Sequence, residues 1–490
     1  MEHSKAGPVR ARRVLLKVAL TSVSLLPALT VPLPLCADPG ERVSSLGDQQ
    51  LVNVTIYNGS MALVHDRRRV TLDAGDNRIA WRDVSANMDA TSAILSDLTV
   101  PGAANVVEQN FNFDLLKPST VLDKYVGRQV VVVHPRPLAG QPVRETATLL
   151  SDNEGVVLQY ADRVETDLGD GYIVFPSIPS DLRDRPTLVL DVNSDRAGSQ
   201  TLDLAYLTGG LAWHADYVGV VAPDEKHMDL NGLVTLSNTS GTTYKDAHMQ
   251  LVAGNVNTNT FVPQSTTDSY TVGNAAPAPQ FQQENYFEYH LYTLQRTTTI
   301  ANNQTKQVAL LSAHRVPIVK TLELRGSDSY YESADADLGT NLKVGVYVTF
   351  TNKGGDLGIP LPGGNVRLYK NDTRGTSQFL GADTIDHTPR NEDVRLHLGD
   401  SFDVTANKKQ TDFHGTGSCS FESSYTVLVK NAKTEPADVL VVEPIPGDWS
   451  IVAENLRHVK SSSSTATWTV HVPADSKTKL SYTARVRVCL

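Results

Sequence analysis

Leu202-Asp203-Leu204-Ala205-Tyr206-Leu207-Thr208-Gly209-Gly210-Leu211-Ala212-Trp213-His214-Ala215-Asp216-Tyr217 reads as two strands separated by a glycine pair. Leu202, Leu204 and Tyr206 recur with period two, as do Trp213, Ala215 and Tyr217. A strand turns successive side chains to opposite faces, so each run presents one apolar face for burial. His214 and Asp216 fall on the other face and read as an outward polar pair.

The same alternation continues on both sides. Val52, Val54 and Ile56 show it near the start, then Leu188-Leu190-Val192 and Leu230-Gly232-Val234-Leu236. Val344-Val346-Val348-Phe350, Tyr425-Val427-Val429, Trp468-Val470-Val472 and Tyr482-Ala484-Val486-Val488 repeat it later. Short strands at this spacing, divided by Gly, Asn and Ser turns, predict immunoglobulin-like β-sandwiches. Ser119–Tyr125 is the best helical segment, opened by Pro118 and followed by Gly127. From 127 to 178 the pattern predicts a small barrel-like unit, with a hairpin turning at Ser151-Asp152-Asn153-Glu154-Gly155. The expected class is all-β. Its divisions are 38–185, 186–416 and a C-terminal immunoglobulin-like domain at 417–490. Residues 255–283, rich in Asn, Thr, Ser, Gln, Ala and Pro, read as a mobile linker inside the second division.

Arg10, Arg12, Arg13 and Lys17 precede an apolar run from Val18 to Leu35, with Ala37-Asp38 as a cleavage point, so residues 1–37 read as a signal peptide. Arg12-Arg13-Val14-Leu15-Leu16-Lys17 resembles a twin-arginine signal, and an ordinary secretory signal is the alternative. Leu33-Pro34-Leu35-Cys36 weakly resembles a lipoprotein box, though the bulky Leu35 argues against it. No other stretch has the length of apolar residues that a membrane helix needs. The expected location is periplasmic or secreted.

Without the leader the chain carries 39 basic and 53 acidic side chains, a net charge of −14. Such a surface repels phosphate backbones and excludes nucleic acid as a partner class. Cys419 and Cys489 are then the only cysteines left, and in an oxidising compartment they read as one structural disulfide.

The candidate chemistry is sparse. Glu288 with His290, and Asp386 with His387, combine carboxylate and imidazole, the side chains of metal ligation or acid–base catalysis. Alternation places Glu288 and His290 on one strand face; a solvated strand face and a turn ending at Pro389 are the plainer reading of the two pairs. Tyr286, Phe287, Tyr289, Tyr292, Tyr330 and Tyr331 are candidate binding aromatics, able to stack on sugars or anchor an interface, with core packing as the plainer reading. No GxSxG, P-loop, HExxH or GxGxxG motif with the right flanks is present, and no cofactor is called for.

Several stretches together resemble the bacterial family known as domain of unknown function 4139. They are Tyr206–Tyr217, Leu230-Asn231-Gly232, Leu251-Val252-Ala253-Gly254, Phe287-Glu288-Tyr289-His290-Leu291-Tyr292, Asn303-Gln304-Thr305-Lys306, Ile385-Asp386-His387-Thr388-Pro389, Lys409-Gln410-Thr411-Asp412-Phe413 and Pro446-Gly447-Asp448-Trp449. The resemblance runs from about Val52 to Val488. It departs at Ala212, where the pattern has Ser, and in the Cys419/Cys489 pair. It implies an exported β-rich protein with no assigned reaction. A distant relative named for inhibiting mucoidy associates the family with envelope polysaccharide. The leading expectation is a non-catalytic binding or structural module of the periplasm, contacting envelope polysaccharide or another envelope protein. The alternatives are an envelope hydrolase or lyase acting on polysaccharide, and a surface assembly factor that pairs through strand edges.

Overall fold

The structure is a computed structural model that describes residues 40–112, 114–135, 141–179, 182–254, 256–257, 280–335 and 337–488. The expected leader, Cys36, Cys489 and most of the 255–283 segment lie outside the described residues. Phe281–Gln283, the end of that segment, belong to a strand rather than to a loop. Among the described residues there are thirty-one strands and one α-helix, Pro118–Tyr125, so the chain is all-β.

Three sheets share the largest core. The eight-stranded sheet orders its strands Phe281–Tyr286, Tyr289–Leu294, Tyr244–Ala253, Gln49–Tyr57, Met61–Leu72, Gly198–Gly209 and Met88–Asp97, with Thr298–Ile300 also on Tyr244–Ala253. The five-stranded sheet beneath it runs Gln304–Pro317, His227–Asn238, Leu211–Val221, Gly364–Asn371 and Ser377–Ile385. The four-stranded sheet Glu41–Ser44, Gly75–Arg82, Thr187–Ser194, Ala104–Asn112 contributes Ile79, Trp81 and Leu190 to the same core. The two strands that open the sequence reading are thus not a hairpin. Gly198–Gly209 lies in one sheet and Leu211–Val221 in another, and the chain changes sheets at Gly210. Gly210 has φ +78°, and a Cβ there would meet the Asn87 amide at 2.6 Å and the Ser240 backbone at 2.9 Å, so only glycine fits.

The unit at 118–175 is a five-stranded sheet, Val164–Glu165, Val157–Gln159, Val143–Ser151, Gln129–His134, Tyr172–Val174. Its end strands do not pair, so it is an open sheet where the sequence suggested a barrel. Tyr125 of the helix joins Val130, Val132, Leu149 and Leu158 in its own small core.

A nine-stranded sheet closes the fold, from Asp448–Glu454 through Ser476–Arg487, Ser420–Asn431, Asp393–Gly417, Leu342–Thr351, Val319–Arg325 and Ala437–Pro444 to Thr465–Val472 and Val459–Ser462. It bends so that Tyr425, Val427 and Tyr482 pack with Val439, Val441 and Trp468 in a second core. Strand pair Leu342–Thr351 and Asp393–Gly417 enters both cores. Val344, Val404 and Ala406 lie in the second, whereas Val348, Phe350, Val394 and Leu396 lie in the first. Register shifts at Lys343/Gly345 and Val346/Tyr347 mark the change.

The second core holds a charge pair. Lys408 and Glu443 are about 1% and 0% exposed, and the Lys408 Nζ donates to Glu443 Oε2 at 2.6 Å. Tyr331 also donates to Oε2 at 3.1 Å, and its oxygen lies 2.9 Å from that of Tyr482. The ammonium sits 4.4 Å from the Tyr330 ring centroid and 5.1 Å from that of Tyr425. Burial pulls the Lys408 pKa below its ordinary value against the opposing pull of Glu443. Losing one partner of such a pair strands the other without solvent. Lys408→Met is therefore expected to destabilise the protein by about 3–5 kcal/mol, and the double variant with Glu443→Leu by much less. Urea unfolding curves check this; additive losses in the double variant would contradict it.

Candidate functional site

The hairpin Phe281–Tyr286/Tyr289–Leu294 forms one edge of the eight-stranded sheet, held through Ala253, Val252 and Leu251 opposite His290, Leu291 and Tyr292. Its register pairs Gln283 with Tyr292 and Asn285 with His290, so these four share a face. Tyr292 is buried in the core. Nearer the tip the same face emerges from it, exposing Gln283, Asn285 and His290 to a groove. Gln283 Nε2 donates to Asn285 Oδ1 at 3.2 Å and to His290 Nδ1 at 3.1 Å.

Two irregular segments form the facing wall. Core tyrosines hold the first: Tyr292 donates its hydroxyl to Pro360 O and Tyr217 to Pro362 O, both at 2.8 Å. The second, Asp386–Asn391, is tied to it because Leu361 and Thr388 exchange both backbone hydrogen bonds at 2.8 Å. Asn352, fully buried, locks the two together. Its Nδ2 donates to Ile359 O at 2.8 Å, Pro389 O at 3.0 Å and Thr388 O at 3.4 Å, and its Oδ1 accepts from Gly358 N at 3.0 Å. Its backbone also pairs with Asn391 N and Glu392 O at 2.8 Å.

Between hairpin and wall lies an open groove of about 540 Å³. Gln283, Glu284, Asn285 and His290 line one side, and Pro360, Pro389, Arg390 and Asn391 the other. Close by, His387 Nδ1 accepts the Gly363 N–H at 2.9 Å, and its Nε2 lies 2.9 Å from Asn58 Nδ2. Desolvation holds His387 below the ordinary imidazole pKa, with Asp386 opposing and His290 reinforcing the shift. His290 is likewise lowered, by desolvation and then by Arg390.

The structure therefore brings two of the four expected site residues together, His290 and His387. Glu288 is not on a strand face as alternation suggested. It occupies the two-residue turn of the hairpin, after Phe287 at φ +55°, and is exposed. Asp386 is exposed, and neither carboxylate lines the groove. Among the described residues no group of three or more His, Cys, Asp or Glu converges as a metal site. The six aromatics divide three ways. Tyr286 and Phe287 stand exposed at the hairpin tip, 61% and 88%. Tyr289 packs against Gly254, where a Cβ would lie 2.5 Å from its ring. Tyr292 and Tyr331 are buried in different cores, and Tyr330 caps Lys408.

The pair His214 and Asp216 separates in exposure. The His214 side chain is 53% exposed, but Asp216 is buried, although both leave the apolar face. Burial alone would raise the Asp216 pKa; hydrogen bonds from His214 (3.1 Å), Thr235 (2.7 Å) and Arg367 (3.1 Å) outweigh it and hold the carboxyl at about 2. Arg367 arrives on the parallel strand Gly364–Asn371, some 150 residues later in the chain. The network ties three strands of one sheet.

Sequence reasoning missed Gln283, Asn285, Arg390, Asn391, Asn58 and Asn352. Most are single amides without a motif. Only the likeness of Phe287–Tyr292 and Ile385–Pro389 to one family pointed at both walls.

The protein is thus of the all-β class, with an open polar groove at a sheet edge. Residues 202–488 match the family described as Domain of unknown function (DUF4139), and this chain belongs to that family. No curated protein matches the sequence.

Because Asn352 satisfies the buried carbonyls of both wall segments, Asn352→Leu is expected to cost at least about 2 kcal/mol. It should also shift the amide NMR signals of Arg390 and Asn391. An unchanged unfolding midpoint with unchanged signals would contradict its role.

Proposed function

We propose that this protein is an exported, non-catalytic envelope component whose edge groove binds a glycan. The observation that carries the reading is the groove itself, where amide, imidazole and guanidinium groups converge, on a hairpin whose tip exposes the rings of Tyr286 and Phe287 outside the groove lining. Sugars present hydroxyls in the ring plane and C–H groups on the faces, so binding sites for them combine planar hydrogen-bonding side chains with aromatic platforms. The exposure of Glu288 and Asp386 outside the groove lining favours binding over cleavage. Glu284 and His290 in the groove lining, with His387 near enough to feel the His290 charge, are the features on the side of a hydrolase or lyase.

Isothermal titration of the mature protein against a panel of envelope oligosaccharides is expected to find saccharide binding. Tyr286→Ala with Phe287→Ala should weaken it several-fold to tenfold, since a ring contact is worth about 1 kcal/mol. New reducing or unsaturated ends appearing during the titration would replace this reading by the enzymatic one. No binding to any glycan would remove it.

Export supports that setting and rests on the basic start, the apolar run and the Ala37-Asp38 junction. In that compartment Cys419 and Cys489 would form a disulfide. Cys419 sits at the tip of the hairpin joining Asp393–Gly417 to Ser420–Asn431, with φ +54°, and its carbonyl accepts the Val488 N–H at 2.9 Å. The bond would pin the chain end to this tip, away from the core, limiting terminal fraying. Secreted protein is expected to begin near Asp38 and to resist thiol labelling until reduced. Replacing both cysteines by Ser should lower the thermal midpoint with β circular dichroism retained. A product retaining Met1, or one labelled before reduction, would contradict this.

A further inference from the structure

Resting on the glycan-binding reading, we infer that the groove selects an acidic sugar, whose oxyanion sits between Arg390 and His290. The chain carries a net charge of −10, and its partly buried arginines are spent on carboxylates: Arg183 on Glu41, Arg367 on Asp216, Arg395 on Glu323. Arg390 is different. It is exposed in the groove wall and forms no ion pair among the described residues, yet it is close enough to His290 to depress its pKa.

One carboxylate, Glu284, is among the residues that line the groove. Strand alternation places Gln283, Asn285 and His290 together and turns Glu284 to the opposite side, opposite Leu291. The charge acting on His290 is Arg390; His290 acts in turn on His387, whose own carboxylate neighbour Asp386 is exposed. Gln283 donates to His290 Nδ1, so the free nitrogen of the neutral ring, Nε2, carries its proton. A guanidinium, an imidazole N–H and the Asn391 amide thus present donors in the groove, with Glu284 turned to the other strand face. That set complements a carboxylate or a phosphate ester, and the guanidinium fork can hold either by two parallel hydrogen bonds.

The position of Arg390 is preset. Pro389 precedes it, its carbonyl taken by Asn352, and Asn391 follows at φ +68°, its N–H bonded to Asn352 O. A backbone fixed before binding leaves only the side chain of Arg390 to be ordered by its ligand.

The test compares four forms of one oligosaccharide in calorimetric titration with the mature protein: neutral, uronate-bearing, the methyl ester of that uronate, and phosphorylated. An acidic form is expected to bind at least tenfold tighter than the neutral and esterified ones, and the carboxylate and phosphate arms show which oxyanion is taken. Arg390→Gln should abolish the difference, and Arg390→Lys should restore part of it. Circular dichroism and the thermal midpoint of both variants should match the parent, because Arg390 makes no contact that the fold uses. Equal affinity for neutral and acidic forms, or a preference that survives Arg390→Gln, overturns the inference while the glycan reading stands. Failure of every form to bind overturns both.

Discussion

The side chain of Asn352 decides whether this protein has a site. Two irregular segments, Leu357–Gly363 and Asp386–Asn391, run beside a β core, where backbone carbonyls without partners cost about as much as lost hydrogen bonds. A sheet ladder satisfies such groups by repetition; irregular backbone needs individual partners. Asn352 supplies them with one amide, bonding Ile359, Thr388 and Pro389 carbonyls and the Gly358 N–H from a wholly buried position. The two hydroxyls of Tyr292 and Tyr217 complete the set at Pro360 and Pro362. With its wall held, the groove keeps its shape without a ligand.

Placement of Asn352 follows from the sheet architecture. It comes directly after Leu342–Thr351, the strand that passes from the second core into the first. Its partner Asp393–Gly417 follows the second wall segment and makes the same passage in the opposite direction. The groove wall is therefore the connection between two strands that are each clamped by both cores. On the other side, the hairpin hangs from Tyr244–Ala253, which pairs in parallel with the N-terminal strand Gln49–Tyr57. Asn58, one residue beyond that strand, faces His387. Segments separated by some 330 residues thus meet at the site.

Alternation made the strands legible because each buries one face, and it did so in both cores: Val52, Val54 and Ile56 in one, Trp468, Val470 and Val472 in the other, are all buried. The helix at Pro118–Tyr125 was legible from its proline and its spacing. What alternation does not carry is the partner of each strand. Leu202–Tyr206 and Trp213–Tyr217 look like neighbours, yet Gly210 sends them to different sheets. Nor does it mark turns made without glycine. The hairpin tip uses Phe287 in a left-handed conformation, which no turn signature reveals, and Glu288 consequently leaves the face shared with His290. Buried charge was equally hidden. Lys408 and Asp216 look like surface residues until Glu443, Arg367 and Thr235 arrive from other strands. Arg390 gave no signal, because an isolated arginine after a proline is ordinary until it is seen to line a groove.

The central claim is that this held groove is a ligand seat. A crystal of the mature protein soaked in an acidic oligosaccharide tests it most directly. Sugar density is expected to span Gln283, His290 and Arg390, with the wall segments unmoved. Sugar bound elsewhere on the molecule, with the groove filled by water alone, would contradict it.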